Sequence, residues 1–335
     1  MLSAQTVSNE NKKRRGSMRE FGMLFILIAL AVFFTVANPR FISGENLLDM
    51  FRNTAILGIL AVGMMMIITT GGIDLSVGAV VSLTGMVSAL LVRDFPNTPV
   101  IAAILVAMLV GTGCGLINGF LVAKGRIIPI IATLATMNAF RGFTFIISDS
   151  AWVSAHEFPA DYKALATGGL GPVNNLVIFW IVVMIVFYYF QTYTRTGRYV
   201  YAVGSNPDVV NITGIRKDRI LILVYTIQGL LAGLAGILWT AKFASAQPDT
   251  ATGYEINVIA ACVLGGVSIN GGAGKMQGLI LGVLTLGILE NALPLVNISV
   301  FWQNFIKGMI ILTAIVANVL IKRRSTAQGL KRREI

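Results

Sequence analysis

The sequence predicts an all-α fold, a polytopic transmembrane helical bundle of about ten helices with both termini on the cytoplasmic side. Three observations carry this. Of 335 residues, 56% are hydrophobic and only 12% are charged, whereas a soluble domain carries about 25% charged residues. Apolar stretches of roughly membrane-spanning length recur along the whole chain. The basic residues collect between those stretches, which is the positive-inside pattern. A membrane β-barrel would instead show short alternating segments.

Taken in order, residues 1–20 form a polar tail with a basic run at Lys12–Arg15. Phe21–Ala37 is apolar. No small-x-small cleavage pattern follows it, so it reads as an uncleaved first helix. Further spans are expected at Asn53–Thr70, Leu75–Val92, Val100–Ala123, Ile127–Ile147 and Asn175–Phe190. Beyond a long polar loop come Ile220–Lys242, Tyr254–Ile269, Met276–Leu295 and Phe301–Ile321. The second and third are parted only by Gly71–Asp74. One straight helix over both would be roughly 60 Å long, too long for a single crossing. The transmembrane domain is thus 21–321, followed by a basic tail, 322–335.

An even span count puts both ends on one side. That side collects Lys12–Arg15, Arg19, Lys124, Arg126, the loop 191–220, Lys275 and the C-terminal cluster ending at Arg333. The other side holds only Arg40, Arg52, Arg93, Lys163 and Lys242, with Arg141 and Lys307 inside spans. The net charge of +11 therefore follows topology and does not indicate nucleic acid. Cys114 and Cys262 lie in apolar spans and read as small buried hydrophobes. With one histidine, His156, in a polar loop, and no metal-type spacing, no metal site and no catalytic residue is expected.

The loop Gln191–Ile220 is the most polar connection. It carries Arg195, Arg198, Arg216, Lys217 and Arg219 against Asp208 and Asp218. Ser205 or Asn206 suits a helix N-cap, Pro207 the first helical position and Gly214 the end, giving a short helix over Pro207–Thr213. A short helix on a basic face is a docking surface. Gly111, Gly115 and Gly119 fall four apart, as do Gly274, Gly278 and Gly282, with Gly229 and Gly233 a third case. Such stripes let helices approach closely. Asn270–Met276 superficially resembles a phosphate-binding loop, but Ile269 and Met276 stand where that loop needs Gly and Ser or Thr. The chain thus shows no nucleotide site of its own. Asp74, flanked by Gly71, Gly72 and Ser76, either caps the third helix or serves a conformational role. Asn118, Asn138, Gln228, Asn257, Gln277 and Asn304 lie within spans and either bond neighbouring helices or meet a neutral polyol. The outer loop Ser148–Asn174 is a cap over a pore mouth or a spacer.

The stretches GGIDLSVGA (71–79), GLINGFLVAKGRIIPIIATLATMNAFRG (115–142), AVGSNPDVVNITGI (202–215), GLLAGLAGIL (229–238) and IAACVLGGVSINGGAGK (259–275) resemble the ribose-type permease family. These are the membrane subunits of ATP-binding-cassette importers for monosaccharides. The resemblance runs from about Phe21 to Ile321. It implies an ATPase on the cytoplasmic side, which would hold ATP and magnesium, an extracytoplasmic sugar-binding protein, and a second permease copy or a related permease. It also implies a bacterial inner membrane and places coupling to the ATPase at Gly204, Asn206, Pro207, Asp208, Gly214, Ile215 and Arg216. Where the family often carries paired alanines, this chain has Val209 and Val210. Candidate gating and pathway residues are Gly71, Gly72, Asp74, Ser76, Asn118, Asn138, Asn257 and Asn270. The rival reading is a stand-alone transporter coupled to an ion gradient.

The orientation is testable. Single cysteines at Thr196 and Gln328 are expected to stay shielded from an impermeant reagent added to intact cells, and one at Asn97 to label. Labelling at Thr196 would reverse the topology.

Overall fold

In a computed structural model, residues 22–206, 210, 214–310, 312, 313 and 316 are described. They are overwhelmingly helical. Helix α1 is Gly22–Ala37, followed by a 3-10 turn, Pro39–Ile42. Helix α2, Gly44–Thr69, is capped by Ser43, whose Oγ accepts from Asn46 N–H at 3.4 Å. Then come α3, Val77–Asp94, α4, Val100–Ala123, and α5, Pro129–Ile147, which starts on the proline that suits a first turn. Short α6, Ala160–Thr167, precedes a two-stranded hairpin of Gly169–Leu170 and Val173–Asn174. Helices α7, Asn175–Tyr193, and α8, Arg195–Ser205, follow; then α9, Lys217–Phe243, α10, Tyr254–Leu264, and α11, Met276–Leu295. Residues 300–310 are helical. Seven of these helices are long and apolar enough to cross a membrane.

Helix α2 is the axis of the bundle. Every residue from Thr54 to Thr69 is buried, so it is apolar on all sides, as a central helix must be. It packs against α7, α9, α10 and α11. By contrast α4, α5 and α7 bury only 28% of their apolar windows. They turn Ile101, Leu105, Ile131 and Ile185 outward, the surface expected of helices facing lipid or another subunit.

The longest run of close backbone approach joins α4 to α9. A Cβ on Gly111 would collide with the Gly229 carbonyl oxygen, and one on Gly115 with that of Tyr225. Gly229 and Gly233 press in turn on the backbone of Gly111 and Ala107. Two stripes read separately in the sequence are thus the two halves of one contact. The third stripe has a different partner: Gly278 and Gly282 sit against Gly265 and Ala261 at the end of α10, and Gly274 against Val267 and Met65.

Two crossings are interrupted. The expected span Tyr254–Ile269 is a helix only over Tyr254–Leu264. Its eleven residues extend about 16 Å, half of a roughly 30 Å hydrocarbon core. The other half of that crossing is irregular chain descending beside α3. Ala246 pairs with Val153 of the outer loop, the Pro248 carbonyl accepts from Ser82 Oγ at 2.8 Å, and Ala251 abuts Gly78. The second interruption is Thr70–Ser76, which joins the far end of α2 to the buried start of α3. Leu75–Val92 is therefore one crossing made of extended chain and an eighteen-residue helix. A bilayer tolerates irregular backbone only where protein buries it or a water-filled cavity borders it; Asp74, Ser76, Ala246 and Pro248 are buried, while Gly71, Asp249 and Thr252 face cavities.

Helix α8 was not anticipated. Thr194 caps it, its Oγ1 accepting from Gly197 N–H at 3.0 Å, and Asn206 is its C-cap instead of the N-cap of a following helix. The helix expected at Pro207–Thr213 lies outside the described residues, apart from Val210. The outer loop is a packed cap: the Tyr162 hydroxyl is buried between Ser88 Oγ at 2.9 Å and Thr240 Oγ1 at 2.6 Å, tying α6 to α3 and α9.

Gly115→Ala is expected to lower the thermal midpoint of the purified protein, with overpacking costing about 1–3 kcal/mol. Gly113, where a Cβ meets nothing within 4 Å, is the matched control. Gly113→Ala is expected to be neutral or stabilising, because alanine is the better helix former. Equal midpoints for the two variants would remove the contact from the account.

Candidate functional site

The interruption at 70–76 organises a chain of buried polar groups. Asp74 and Ser76 are buried, as are Asn118 of α4 and Thr136 of α5. Asp74 Oδ1 accepts from Ser76 N–H at 2.8 Å and Ser76 Oγ–H at 2.6 Å. Ser76 Oγ accepts from Asn118 Nδ2 at 2.7 Å, and Asn118 Oδ1 from Thr136 Oγ1 at 2.6 Å. Leu75 N–H reaches Thr133 Oγ1 at 3.1 Å. Asp74 thus closes a turn two residues ahead of the helix, with Ser76 at the N-cap position. It does not bond the first-turn N–H groups of α3 as a cap would. The network fastens the unwound segment to two neighbouring helices, so each donor in it has an acceptor, as burial demands.

Just beyond lies a cavity of about 1450 Å³ at the basic face. Gly71, Gly72, Gly204, Asn270, Gly214, Ile215 and Arg216 all line it. Lys124, Arg126, Lys217 and Arg219 add charge to its wall, offset by Asp218, which pairs with Lys124 at 2.8 Å. Residues assigned separately to gating and to coupling therefore share one hollow. They are also joined mechanically. Gly204 lies so close to the Thr69 carbonyl at the end of α2 that a Cβ would collide with it. Gly272 N–H donates to that carbonyl at 2.8 Å, and Tyr201 Oη donates to the Gly274 carbonyl at 2.9 Å. Gly71, Gly214, Gly271 and Gly272 all have positive φ, conformations a side chain strains. Pro207 and Asp208 lie outside the described residues.

Two of the in-span amides stand apart. Asn138 is exposed on α5 and donates to the Leu134 carbonyl at 2.9 Å. Asn257 donates to Glu290 at 3.3 Å in a separate cluster towards the opposite end. Gln228 is buried against Gly63, with no hydrogen-bond partner among the described residues. Sequence reasoning missed Thr133, Thr136 and Tyr225, which lines the basic cavity. It also missed the role of Arg141. That guanidinium donates to the carbonyls of Pro248 at 3.0 Å and Thr250 at 2.6 Å, holding the descending chain. Its signal was visible: a charged residue inside an apolar span needs a partner. Among the described residues, no group of three or more His, Cys, Asp or Glu is placed to hold a metal ion.

Comparison with known proteins agrees with this architecture. A family profile described as "Branched-chain amino acid transport system / permease component" matches residues 46–315. The ribose import permease protein RbsC of Escherichia coli (strain K12) is 37% identical over 320 residues, covering 95% of this chain and 99% of that protein. The protein of the same name from Bacillus subtilis (strain 168) is 37% identical, covering 97% and 100%. The L-arabinose ABC transporter permease protein AraH of Azospirillum brasilense is 34% identical, covering 90% and 86%. No solved structure matches. With likeness running over nearly its whole length and a bundle of membrane-spanning helices, this chain belongs to the permease-component family of ATP-binding-cassette transport systems.

Proposed function

We propose that this chain is the membrane-spanning permease subunit of an importer that carries a monosaccharide inward and is powered by a separate ATPase. The observation that carries the reading is full-length likeness to sugar permeases at up to 37% identity in the comparisons above. The family description names amino acids, but its profile covers residues 46–315, whereas the two ribose permeases cover 95% and 97% of this chain. The same likeness favours this reading over ion-coupled transport. In this reading ten crossings place both termini and the basic cavity in the cytoplasm, in a bacterial inner membrane. ATP and magnesium are held by the ATPase. A binding protein delivers sugar from outside, and a second permease, identical or related, completes the pathway.

The mechanism follows from the cavity's composition. A docked ATPase that binds two conformations unequally can shift the balance between them by that difference alone. The coupling segment is bolted through Gly204 and Gly272 to the end of α2, next to Gly71 and the unwound 70–76. Movement of α8 therefore reaches the interrupted crossing without an intermediary. Discontinuous helices near mid-membrane are where transporters of several folds place their substrate sites, about which the rest of the bundle rocks. The candidate alternation is of the 70–76 segment against α4 and α5, with Asp74, Ser76 and Asn118 as its fastening.

Two experiments test this. Gly214, at φ +76, would be strained by roughly 1 kcal/mol or more by a side chain. Gly214→Val and, separately, Asn206→Ala are expected to insert normally, retain less co-purified ATPase and lose sugar uptake. If both keep the partner and full uptake, the loop is only a topology anchor. In the second, Asp74→Asn keeps an acceptor for Ser76 N–H and is expected to retain most uptake, while Asp74→Leu is expected to lose at least tenfold. Equal loss in both would assign the role to the charge.

A further inference from the structure

A second polar cavity lies at the opposite end of the bundle. It encloses about 250 Å³ between the outer parts of α2, α9 and α11 and the start of α10. Its size is just below the roughly 300–1,000 Å³ typical of sites for drug-sized ligands. One wall is aromatic: Trp239 and Tyr254 meet edge to face, with centroids 4.9 Å apart at 85°, and Phe243 extends the surface. The remaining lining includes Asn53, Lys242 and Glu290.

These polar groups are only partly consumed by packing: Asn291, also in the lining, bonds Asn46, and Glu290 is ion-paired with Lys307. Glu290 Oε1 accepts from Asn257 at 3.3 Å and Lys307 at 3.4 Å, while Oε2 has no hydrogen-bond partner among the described residues. The Lys242 ammonium lies 4.9 Å from the Phe243 ring centroid and pairs with no carboxylate among the described residues. Asn53 is exposed, with no side-chain hydrogen bond among the described residues. Glu290 is ion-paired with Lys307 at 3.4 Å, and Lys242 lines the same cavity without joining that pair. Next to it a hollow of about 560 Å³ shares Trp239, Phe243 and Tyr254 and is otherwise lined by Ser245, Gln247, Thr250 and Thr252, with the Asp249 carboxylate and Ala251.

We infer that the 250 Å³ cavity is a binding station for a single neutral, ring-shaped polyol, which the neighbouring hollow admits from the outer side. The inference rests on the monosaccharide-importer reading and adds a site within one subunit. A cation would meet Lys242 and an anion Glu290, whereas a hydroxyl group can donate to a carboxylate and accept from an ammonium at once. The apolar face of a sugar ring covers indole and phenol surface that is otherwise half exposed. Desolvating charged groups costs free energy unless each finds a partner, so an occupant without hydroxyls is disfavoured. Opposite charges also suit a zwitterion, which the test includes.

The full-length chain is placed in lipid nanodiscs with Trp152, Trp180 and Trp302 changed to Phe, leaving Trp239 as reporter. D-ribose, L-arabinose and L-leucine are titrated separately. Equilibrium dialysis of radiolabelled sugar against the unsubstituted chain gives the same binding curve without tryptophan changes. A saturable response to one of the sugars is expected, weakened at least tenfold by Asn53→Ala and by Glu290→Gln. Asn53→Ala removes no protein hydrogen bond and controls for misfolding. In cells with the complete importer, both variants are expected to lower uptake of that sugar at least fivefold. Wild-type uptake with unchanged variants and no sugar binding would overturn the station and leave the importer reading standing. Saturable leucine binding without sugar binding would overturn the polyol assignment. No uptake of either sugar by the wild-type complex would overturn the reading beneath it.

Discussion

The structure depends on one constraint: within hydrocarbon, every backbone N–H and C=O must be satisfied by protein. Uninterrupted helices meet it automatically. The two interrupted crossings do not, and the surrounding side chains supply what the chain lacks there. Arg141 and Ser82 hold the carbonyls of the descending chain before α10. Asp74, Thr133 and the Ser76–Asn118–Thr136 relay hold the segment before α3. Polar residues that look costly in a hydropathy plot are therefore the groups that make irregular chain tolerable at that depth.

The same segments join the two ends of the bundle. Gly78 at the start of α3 touches Ala251, while Gly71 lies beside Gly271 and the end of α8. The central helix α2 is enclosed along its inner length and cannot shift without repacking. The interrupted segments are held instead by a few hydrogen bonds, each worth about 0.5–1.5 kcal/mol net. Breaking a few such bonds costs only a few kcal/mol. The basic cavity is bordered by one of these segments.

Close packing sets the other limit. Where α4 meets α9, glycine brings backbone to backbone and allows dispersion contacts along several turns. In a bilayer, apolar burial between helices gains little over contact with lipid, so such contacts carry the association. The outer cap adds a polar tie, with Tyr162 bridging the far ends of α3 and α9. The most densely packed part of the molecule is the α2–α3–α4–α9 block, and the surfaces of α4, α5 and α7 left apolar are free for lipid or a second subunit.

The sequence by itself determined the class, the positions of the apolar segments, the glycine stripes, the basic segment and the positive φ at Gly214. Each is local: apolar run length, four-residue spacing, charge density and the absence of a Cβ can all be read along one strand of text. It also yielded the family, through stretches such as GGIDLSVGA. Only the tertiary structure decided that Gly111 and Gly115 face Gly229 and Gly233, that Arg141 serves Pro248 and Thr250, and that the span at Tyr254 is half helix. Those outcomes depend on partners more than 100 residues apart, or on whether neighbours can satisfy an unwound backbone. An apolar run reads the same whether it is helical or extended, because hydropathy records what the side chains avoid and not which groups the backbone finds. The helix Arg195–Ser205 was overlooked for the converse reason: its polar face resembles loop composition until α7, α9 and the end of α2 are in place to cover Val200 and Val203.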